Sequence, residues 1–364
     1  MEIIIPYTQL VKALELVTKI STKHVTLPVL QCVLITVTDK ITFKATNLEL
    51  SIEVVLKGVI KEEGVIAVPA ITLLQSVQHI NQTDVVLRVE ENVLLIETSQ
   101  TNTSIKAINA DEFPNIHHLE GEGVVLNRAL FALGIKTTAF AASQSSIKPE
   151  LGSVYIQQKK EHSLTFVSTD SFRLMEKTVA QKSVVLKHSF LVPQKNAIEL
   201  ARICDLLQND PTLVVTENQC ALDFGQEGVY LTSRLVSGSF PDYEQIIPKE
   251  YVSHATLLKN DLQNAFKKTS VFLNKFLQVS LTLTNKALTV SSQNNDVGHI
   301  TDTMNAVVSG EELSLNFNQN YVIEPLSHIT DDSIILNFAG IGRPLVITGA
   351  NDKSLRYLVM PMNR

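Results

Sequence analysis

The chain has 364 residues, of which 45% are hydrophobic and 19% charged, and its formal net charge at pH 7 is −6. This length is sufficient for three domains of common size, each with its own core. The acidic balance excludes a simple basic nucleic-acid binder, since such proteins neutralise phosphates with an excess of lysine and arginine. The three cysteines are odd in number and lack paired close spacing, which predicts reduced thiols in the cytoplasm rather than a disulfide framework or a zinc site.

The first third of the chain mixes helical and strand periodicity. Residues 1–6 have neither a basic lead nor a long apolar run, so we expect no secretory signal and no membrane association. Periodicity of two at 85–89 and at 93–96, around a Glu-Glu-Asn turn, is typical of a hairpin. Two amphipathic helices are also predicted, and their apolar faces consist of Leu10, Leu14 and Val17 in the first helix and Ile71, Leu74 and Val77 in the second.

The same order of elements returns twice, at intervals of roughly 125 residues, which indicates an internal repeat. Val68-Pro69, Val192-Pro193 and Phe317-Asn318 each stand at the entry of an apolar helical stretch. The pairs Leu130 with Leu133 and Leu262 with Phe266 mark the other helix of the second and third repeats. We therefore predict an α+β fold of three repeated domains, each with two helices packed on antiparallel sheets, at residues 1–120, 121–250 and 251–364.

No catalytic constellation, metal site or cofactor is predicted. Gly340-Ile341-Gly342 lacks the third glycine of a dinucleotide fingerprint and is interpreted as a turn. His117-His118 has no partner at ligand spacing and is interpreted as a pair of exposed loop residues. Asp331-Asp332 and Glu311-Glu312 are typical of solvated turns. Thr169-Asp170-Ser171 is not surrounded by a Gly-x-Ser-x-Gly elbow, so an enzyme is not expected.

Six short strings stand out along the chain: Thr26-Leu27-Pro28-Val29-Leu30, Thr46-Asn47-Leu48-Glu49, Asp111-Glu112-Phe113-Pro114-Asn115, Thr169-Asp170-Ser171-Phe172-Arg173-Leu174, Ser233-Arg234-Leu235-Val236-Ser237-Gly238-Ser239-Phe240-Pro241-Asp242-Tyr243 and Tyr357-Leu358-Val359-Met360-Pro361-Met362. In this order, and with the threefold repeat, they resemble the bacterial DNA polymerase III beta subunit family, the sliding clamps. The resemblance spans the whole chain.

The resemblance implies a non-enzymatic processivity factor for DNA replication. Members of the family form a head-to-tail homodimeric ring of six DNA-clamp domains, of which one chain supplies half. Sheets form the outside of the ring and helices line the hole around double-stranded DNA. Phosphate-directed charges position a duplex without reading its sequence, so the ring slides. The implied partners are a second copy of the chain, the replicative DNA polymerase, the clamp loader and repair proteins, the last three through short linear peptides.

The resemblance also implies a groove for partner peptides. The apolar stretch near the carboxyl terminus must be docked or held as a surface for a partner, and the family pattern favours the second. Phe172 replaces a common histidine and Gln245 stands where a basic residue is frequent, so both affect which peptide binds. The groove implied by position consists of Leu151, Thr169, Ser171, Phe172, Arg173, Leu174, Pro241, Gln245, Ile246, Phe276, Asn318, Tyr321, Pro344, Leu358, Met360, Pro361 and Met362.

Two further surfaces are implied. The family favours an arginine where Lys23 and His24 stand here, and an aromatic residue where Thr103 stands. A solvated helix face explains any one basic residue equally well. The residues expected to face DNA are Lys12, Lys23, His24, Arg128, Lys136, Lys148, Lys195 and Arg202. Those expected at the dimer interface are Ile105 on an edge strand and Val271, Phe272 and Leu273, with packing inside one chain as the alternative.

Two other classes of function stay open at the level of sequence. One is a solitary protein-binding scaffold that keeps the fold and the groove but does not close around DNA, an interpretation favoured by the sparse basic residues and by Thr103. Retention on circular DNA separates it from a clamp. The other is a repeat-built hydrolase that uses the region of Ser171, which an unchanged hydrolytic background after purification would exclude.

Overall fold

The structure is a computed structural model that describes residues 1–21, 27–98, 102–145, 147–182 and 184–362. These ranges contain two α-helices in each predicted domain. Pro6, Pro69 and Pro193 each end a strand directly before a helix, as the sequence predicts, because the fixed φ of proline suits both extended chain and the first helical turn. The helices are α1 (Tyr7–Ile20), α2 (Ala70–Val77), α3 (Arg128–Thr138), α4 (Gln194–Leu206), α5 (Lys259–Thr269) and α6 (Gln319–Ile323).

The apolar faces of the helices agree with the predictions in part. Helix α1 buries Leu10, Leu14 and Val17 as predicted, and α5 buries Leu262 and Phe266. In α2 the buried face is instead Ala70, Leu73 and Val77, and the side chain of Ile71 is 48% exposed. In α3 Phe131 and Ile135 are buried and Leu133 is 44% exposed. Both corrections have the same cause. In each helix, two neighbouring sets of apolar residues satisfy helical spacing, and the sequence alone does not show which set packs against the sheet.

Two compact units divide the chain. The first comprises Met1–Ala132, Gln181–Leu186 and Lys195–Ser237, and the second comprises Leu133–Ala180, Lys187–Gln194 and Gly238–Arg364.

The first unit contains a five-stranded and an eight-stranded antiparallel sheet. The five-stranded sheet has, in spatial order, β5 (Val59–Glu62), β1 (Glu2–Pro6), β7 (Asp84–Glu90), β8 (Val93–Glu97) and β9 (Asn102–Lys106). The eight-stranded sheet has β10 (Val124–Val125), β15 (Thr212–Val215), β16 (Gln219–Phe224), β17 (Val229–Arg234), β4 (Leu50–Leu56), β3 (Ile41–Thr46), β2 (Cys32–Val37) and β6 (Gly64–Pro69). The predicted hairpin at 85–96 is thus β7 and β8.

The second unit contains a nine-stranded and a four-stranded antiparallel sheet. The nine-stranded sheet has, in order, β14 (Phe190–Pro193), β11 (Ser153–Gln157), β12 (Ser163–Thr169), β13 (Arg173–Ala180), β26 (Leu355–Val359), β25 (Leu345–Gly349), β24 (Ser333–Phe338), β18 (Ser253–Leu258) and β22 (Val307–Gly310). The four-stranded sheet has β21 (Gly298–Asn305), β20 (Ala287–Asn294), β19 (Gln278–Leu283) and β23 (Leu313–Asn318).

Each large sheet joins strands from two of the predicted domains. In the eight-stranded sheet β4 pairs with β17, with Ile52 opposite Leu231. In the nine-stranded sheet β13 pairs with β26, with Leu174 opposite Leu358. Since backbone pairing continues through both junctions, compactness alone does not separate three domains, and the boundaries at 120 and 250 stay predictions.

All three cysteines are buried free thiols. Burial raises the pKa of Cys32 to about 11 and that of Cys220 to about 12, which keeps both protonated at neutral pH. Among the described residues, no helix is long and apolar enough to cross a membrane.

Candidate functional site

The turn between β12 and β13 positions the first group of predicted groove residues. The Thr169 hydroxyl donates to the carbonyl oxygen of Arg173 at 2.6 Å. The Asp170 carboxylate accepts the backbone N–H groups of Phe172 and Arg173, both at 3.0 Å. These bonds hold Ser171 at a φ of 78°, and the Phe172 side chain is 62% exposed. Thr169-Asp170-Ser171 thus builds a turn from local side-chain hydrogen bonds.

The same turn occurs between β3 and β4. The Thr46 hydroxyl donates to the Leu50 carbonyl oxygen at 3.2 Å, and the Asn47 side-chain oxygen accepts the N–H groups of Glu49 and Leu50 at 3.0 and 2.7 Å. Leu48 has a φ of 75°. The internal repeat therefore extends to the hydrogen bonds of single turns.

What distinguishes the second copy of the turn is Arg173, whose side chain is 11% exposed. A guanidinium carries five donors in a rigid fork, so one side chain can hold several acceptors in place. Its partners are the Asp170 carboxylate at 2.9 Å, the Phe140 carbonyl oxygen at 3.1 Å, the Glu324 carboxylate, and the Tyr321 ring at 4.4 Å from the centroid. Arg173 therefore ties this turn to α6 and its carboxyl-terminal extension.

The carboxyl-terminal segment runs beside this turn, as the resemblance implies. Strand β26 pairs with β13 up to Val359 opposite Arg173. Beyond the strand, the Met360 N–H donates to the Phe172 carbonyl oxygen and the Met362 N–H donates to that of Asn316, both at 2.8 Å. The backbone thus brings the Phe172 turn and the methionine pair together.

Several predicted groove residues are buried beneath this region rather than exposed in it. Leu174 and Leu358 are 0% and 1% exposed and pack in one cluster with Val167, Tyr243 and Val346. Met360 packs partly buried against the same cluster. Thr169 and Leu151 are each 6% exposed, and Leu151 lies in the loop before β11.

Other predicted groove residues lie on segments next to that cluster. Pro241, Gln245 and Ile246 are exposed and belong to the segment at 240–247, of which Phe240, Tyr243 and Ile247 pack in the cluster. Pro344 directly precedes β25, whose Leu345 is opposite Val359.

A further group lies where β19 and β23 meet. Asn318 is opposite Gln278, and the Gln319 N–H donates to the Leu277 carbonyl oxygen at 2.8 Å. Phe276, beside this bond, is 57% exposed. The side-chain oxygen of Asn318 accepts the Asn320 N–H at 3.0 Å and caps α6.

Sequence reasoning missed Phe140 and Glu324, two partners of Arg173 that come from distant segments. The identity of each is ordinary, and only the folded chain shows that Arg173 reaches both. It also missed Glu176, a buried carboxylate on β13, two residues after Leu174.

The residues expected to face DNA have different environments. Lys136, Lys148 and Lys195 have exposed side chains. Lys12 pairs with Glu227 at 2.7 Å and Arg202 with Glu199 at 2.6 Å, so both are surface ion pairs. Lys23 and His24 lie outside the described residues.

Arg128 differs from the other candidates because it is engaged within the chain. Its guanidinium donates to the Cys204 carbonyl oxygen at 2.5 Å, near the carboxyl end of α4. Its backbone N–H donates to the Asp210 carboxylate at 2.8 Å. A cation there is stabilised by the helix dipole, so Arg128 has a structural role.

The predicted interface residues also separate into two groups. Ile105 does lie on an edge strand, β9, but it is 5% exposed and is paired with Leu94 of β8. At Ile105 the backbone edge, rather than the side chain, is therefore available to a partner. Val271 is 65% exposed, whereas Phe272 and Leu273 are half-buried next to it.

The histidine pair and the Gly340-Ile341-Gly342 motif lie in a loop and a turn, as the sequence predicts. His117 and His118 are exposed loop residues, and the His118 ring stacks on Tyr230 with 3.9 Å between centroids. Gly340 and Gly342 have φ values of 115° and 71° in the turn before β25. In the part of the chain that is described, no group of three or more His, Cys, Asp or Glu side chains is arranged to hold a metal ion.

Comparison with known proteins identifies the family. Three family models match successive parts of the chain: the DNA polymerase III beta subunit N-terminal domain at residues 1–117, its central domain at 125–242 and its C-terminal domain at 244–363. The beta sliding clamp of Pseudomonas putida is 27% identical over 365 residues, which cover 97% of each chain.

Solved structures agree with this result. The DNA polymerase III subunit beta of Pseudomonas aeruginosa is 25% identical, with a TM-score of 0.94 and full coverage of both chains. The beta subunit of Thermotoga maritima, at 23% identity, has the same fold with a TM-score of 0.94 over 100% of this chain and 99% of that one. The chain therefore belongs to the DNA polymerase III beta subunit family, the non-enzymatic sliding clamps that act as processivity factors in DNA replication.

Proposed function

We propose that two copies of this chain close head to tail into a ring around double-stranded DNA, and that the groove beside Phe172 tethers the replicative polymerase and other partners to it. The observation that carries ring closure is a strand pairing that occurs twice. At each junction the last strand of one repeat pairs with the strand that follows the hairpin turn of the repeat before it: β17 with β4, and β26 with β13.

A ring of two chains would also need a third kind of junction, between the first repeat of one chain and the third repeat of the other. By the same pairing rule, two particular strands would meet there. The last strand of the first repeat is β9, and the strand after the third hairpin turn is β21. Each is the outermost strand of its own sheet. An open edge is a template for antiparallel pairing, so β9 of one chain would pair with β21 of the other. A heterologous contact of this kind gives a ring only if the rotation closes.

Three exposed lysines support a contact with phosphates, namely Lys136, Lys148 and Lys195. Contacts of this type need no base recognition and allow sliding. Since the chain has a net negative charge, retention on DNA would depend on closure of the ring around the duplex rather than on a high affinity for phosphates. We expect no catalytic activity, and a cytoplasmic location in keeping with replication and with the three free thiols.

The groove would take short linear peptides in an extended form. Exposed Phe172, Ile246 and Phe276 offer apolar contacts around a floor of Leu174 and Leu358. The adaptable Met360 side chain suits a surface that serves several partners in turn. Polymerase, clamp loader and repair proteins would then compete for one site.

The experiment for ring closure combines mass with topology. Light scattering over a dilution series should give a species near twice 40.2 kDa. Protein loaded on nicked circular DNA should be retained, and it should be released when the circle is cut. A persistent monomer, or retention that does not depend on DNA ends, would contradict the ring and favour the solitary scaffold.

The groove is tested separately with overlapping synthetic peptides that cover the carboxyl-terminal region of the replicative polymerase subunit from the same genome. At least one peptide should bind in fluorescence polarisation, and Phe172→Ala should weaken it. Binding that is indifferent to Phe172→Ala would place the peptide elsewhere. The tightest of these peptides is called the polymerase peptide below.

A further inference from the structure

We propose that Glu176 is a positioning residue for the peptide groove, because its buried carboxylate fixes the wall at 240–247 through Tyr243. The inference rests on the proposed groove and adds a buried residue whose hydrogen bonds are to Tyr243, Lys159 and Arg356, none of them a predicted groove residue. Two observations support it: the bonds of Glu176 and the place of Tyr243 in the wall.

Glu176 lies on β13 and is 5% exposed. One carboxylate oxygen accepts the Tyr243 hydroxyl at 2.6 Å and the Lys159 ammonium at 2.8 Å. The other accepts the Arg356 guanidinium at 2.5 Å. A buried carboxylate with three donors is fully satisfied, and loss of its charge leaves two cations without their shared partner. The network therefore has one geometry rather than several.

Tyr243 transmits this geometry to the wall of the groove. It is 4% exposed and lies between Pro241 on one side and Gln245 and Ile246 on the other, all of which are exposed. Its ring packs on the groove floor, and its hydroxyl is the atom that reaches Glu176. The segment has further anchors: Phe240 stacks on Tyr155 with centroids 4.7 Å apart, Gln157 donates to the Tyr243 hydroxyl at 3.0 Å, and Glu244 pairs with Lys159 at 2.8 Å. Stacking permits sliding, whereas a short hydrogen bond to a charge does not.

The first junction, where β4 pairs with β17, contains a related buried carboxylate, and it belongs to the other compact unit. Glu53 follows Thr46 at the same spacing at which Glu176 follows Thr169, so the two glutamates hold equivalent positions in the repeat. Glu53 is also 5% exposed. It pairs with Lys44 at 3.0 Å and lies opposite Tyr230 in the sheet. The Tyr230 hydroxyl in turn accepts the Leu119 N–H of the connecting segment at 2.7 Å. Glu53 is thus a matched control for the loss of one buried carboxylate.

The test compares Glu176→Gln, Tyr243→Phe and Glu53→Gln in the full chain. We expect the first two to weaken the polymerase peptide by about tenfold, a usual size for coupling between sites, and to be non-additive when combined. Glu53→Gln should leave peptide affinity unchanged. Hydrogen exchange of the amides at 240–247 should accelerate in Glu176→Gln and Tyr243→Phe but not in Glu53→Gln.

Two results would overturn the proposal. One is wild-type affinity and wild-type exchange at 240–247 in both Glu176→Gln and Tyr243→Phe. The other is an equal loss of affinity in Glu53→Gln, which would show a general loss of stability. If the wild-type protein binds none of the polymerase peptides, the proposed groove fails, while the exchange rates at 240–247 still decide whether Glu176 positions that segment.

Discussion

Arg173 shows how one side chain can organise a binding region from distant parts of a sequence. Its fork reaches Asp170, Glu324 and the Phe140 carbonyl oxygen, so three segments depend on it. Lysine would keep the charge but has one compact ammonium group, which cannot replace a fork at several acceptors.

We therefore expect Arg173→Lys to lower the free energy of unfolding by about 2 kcal/mol, the size of an effect from unsatisfied partly buried acceptors, and to weaken the polymerase peptide. Thermal unfolding followed by calorimetry measures the first effect and fluorescence polarisation the second. The control is Arg202→Lys, whose partner Glu199 lies three residues away on the exposed face of α4. A loss of stability in Arg202→Lys as large as that in Arg173→Lys would contradict a special role for Arg173.

The pH dependence of stability should report on Glu176. Burial alone would raise the pKa of this carboxyl, but hydrogen bonds from Lys159, Tyr243 and Arg356 outweigh burial and hold the pKa below its usual value of 4.5. A carboxyl whose pKa is lower in the folded chain stabilises the fold above its unfolded pKa, and the contribution is lost as the pH falls through the folded value. Wild-type protein should lose stability below about pH 4.5 more steeply than Glu176→Gln. Calorimetry from pH 7 to pH 3.5 gives the two slopes, and parallel curves would refute the assignment.

At the scale of elements, local signals predicted more than long-range ones. Helix entries at Pro6, Pro69 and Pro193 are local, and the hairpin at 85–96 follows from periodicity, so both were predictable. Which face of α2 is buried was not predictable, because Ile71 and Leu73 are both apolar and both fit helical spacing. Only the packing of the folded chain buries Leu73 and leaves Ile71 exposed. The pairing of Leu174 with Leu358 spans most of two repeats, and no local rule reveals it.

The same distinction applies to the candidate site. The positions of Phe172, Met360 and Pro361 came from family resemblance, and the structure brings Phe172 and Met360 together through one backbone hydrogen bond. Glu176 and Glu324 had no such signal, since acidic residues on strands and turns are common. Their roles depend on burial and on partners that only the fold supplies.

The carboxyl-terminal segment offers a test at this scale. A chain that ends at Val359 keeps all of β26 but loses the bonds from Met360 to Phe172 and from Met362 to Asn316. Because the nine-stranded sheet stays paired, we expect a small change in the midpoint of thermal unfolding, with at least about a tenfold loss of affinity for the polymerase peptide. Met360→Ala in the full-length chain separates the side chain from the backbone. Unchanged affinity in the truncated chain would exclude the segment from the groove.

For the whole molecule, the repeated junction explains how an acidic chain could serve DNA without tight binding. Both junctions within the chain are made by backbone pairing of strands that are far apart in sequence, and the same rule leaves β9 and β21 for a second copy. The two junctions within a chain are also connected by the polypeptide, whereas the contact between chains would be held by noncovalent contacts alone. The dissociation constant of that contact would therefore decide whether a ring persists at cellular concentration.

Val271 is the residue with which to test that contact. Its side chain is 65% exposed beside Phe272, which approaches Gly298 at the start of β21. Val271→Glu should leave the fold of one chain intact, since the glutamate stays in water there. In a closed ring each of the two contacts would bury one unpaired carboxylate, which is strongly destabilising.

We expect the dissociation constant of the dimer to rise by at least about a hundredfold in Val271→Glu, equivalent to roughly 2.7 kcal/mol. Sedimentation velocity over a dilution series measures this constant, and calorimetry confirms an unchanged unfolding transition at concentrations where both proteins are monomers. Ile341→Glu is the matched control, because Ile341 is 83% exposed in the turn before β25, whose sheet contains neither β9 nor β21. Val271→Glu protein that dimerises like the control would show that Val271 lies outside the interface, and the strand pairing of β9 with β21 would then need contacts on another face.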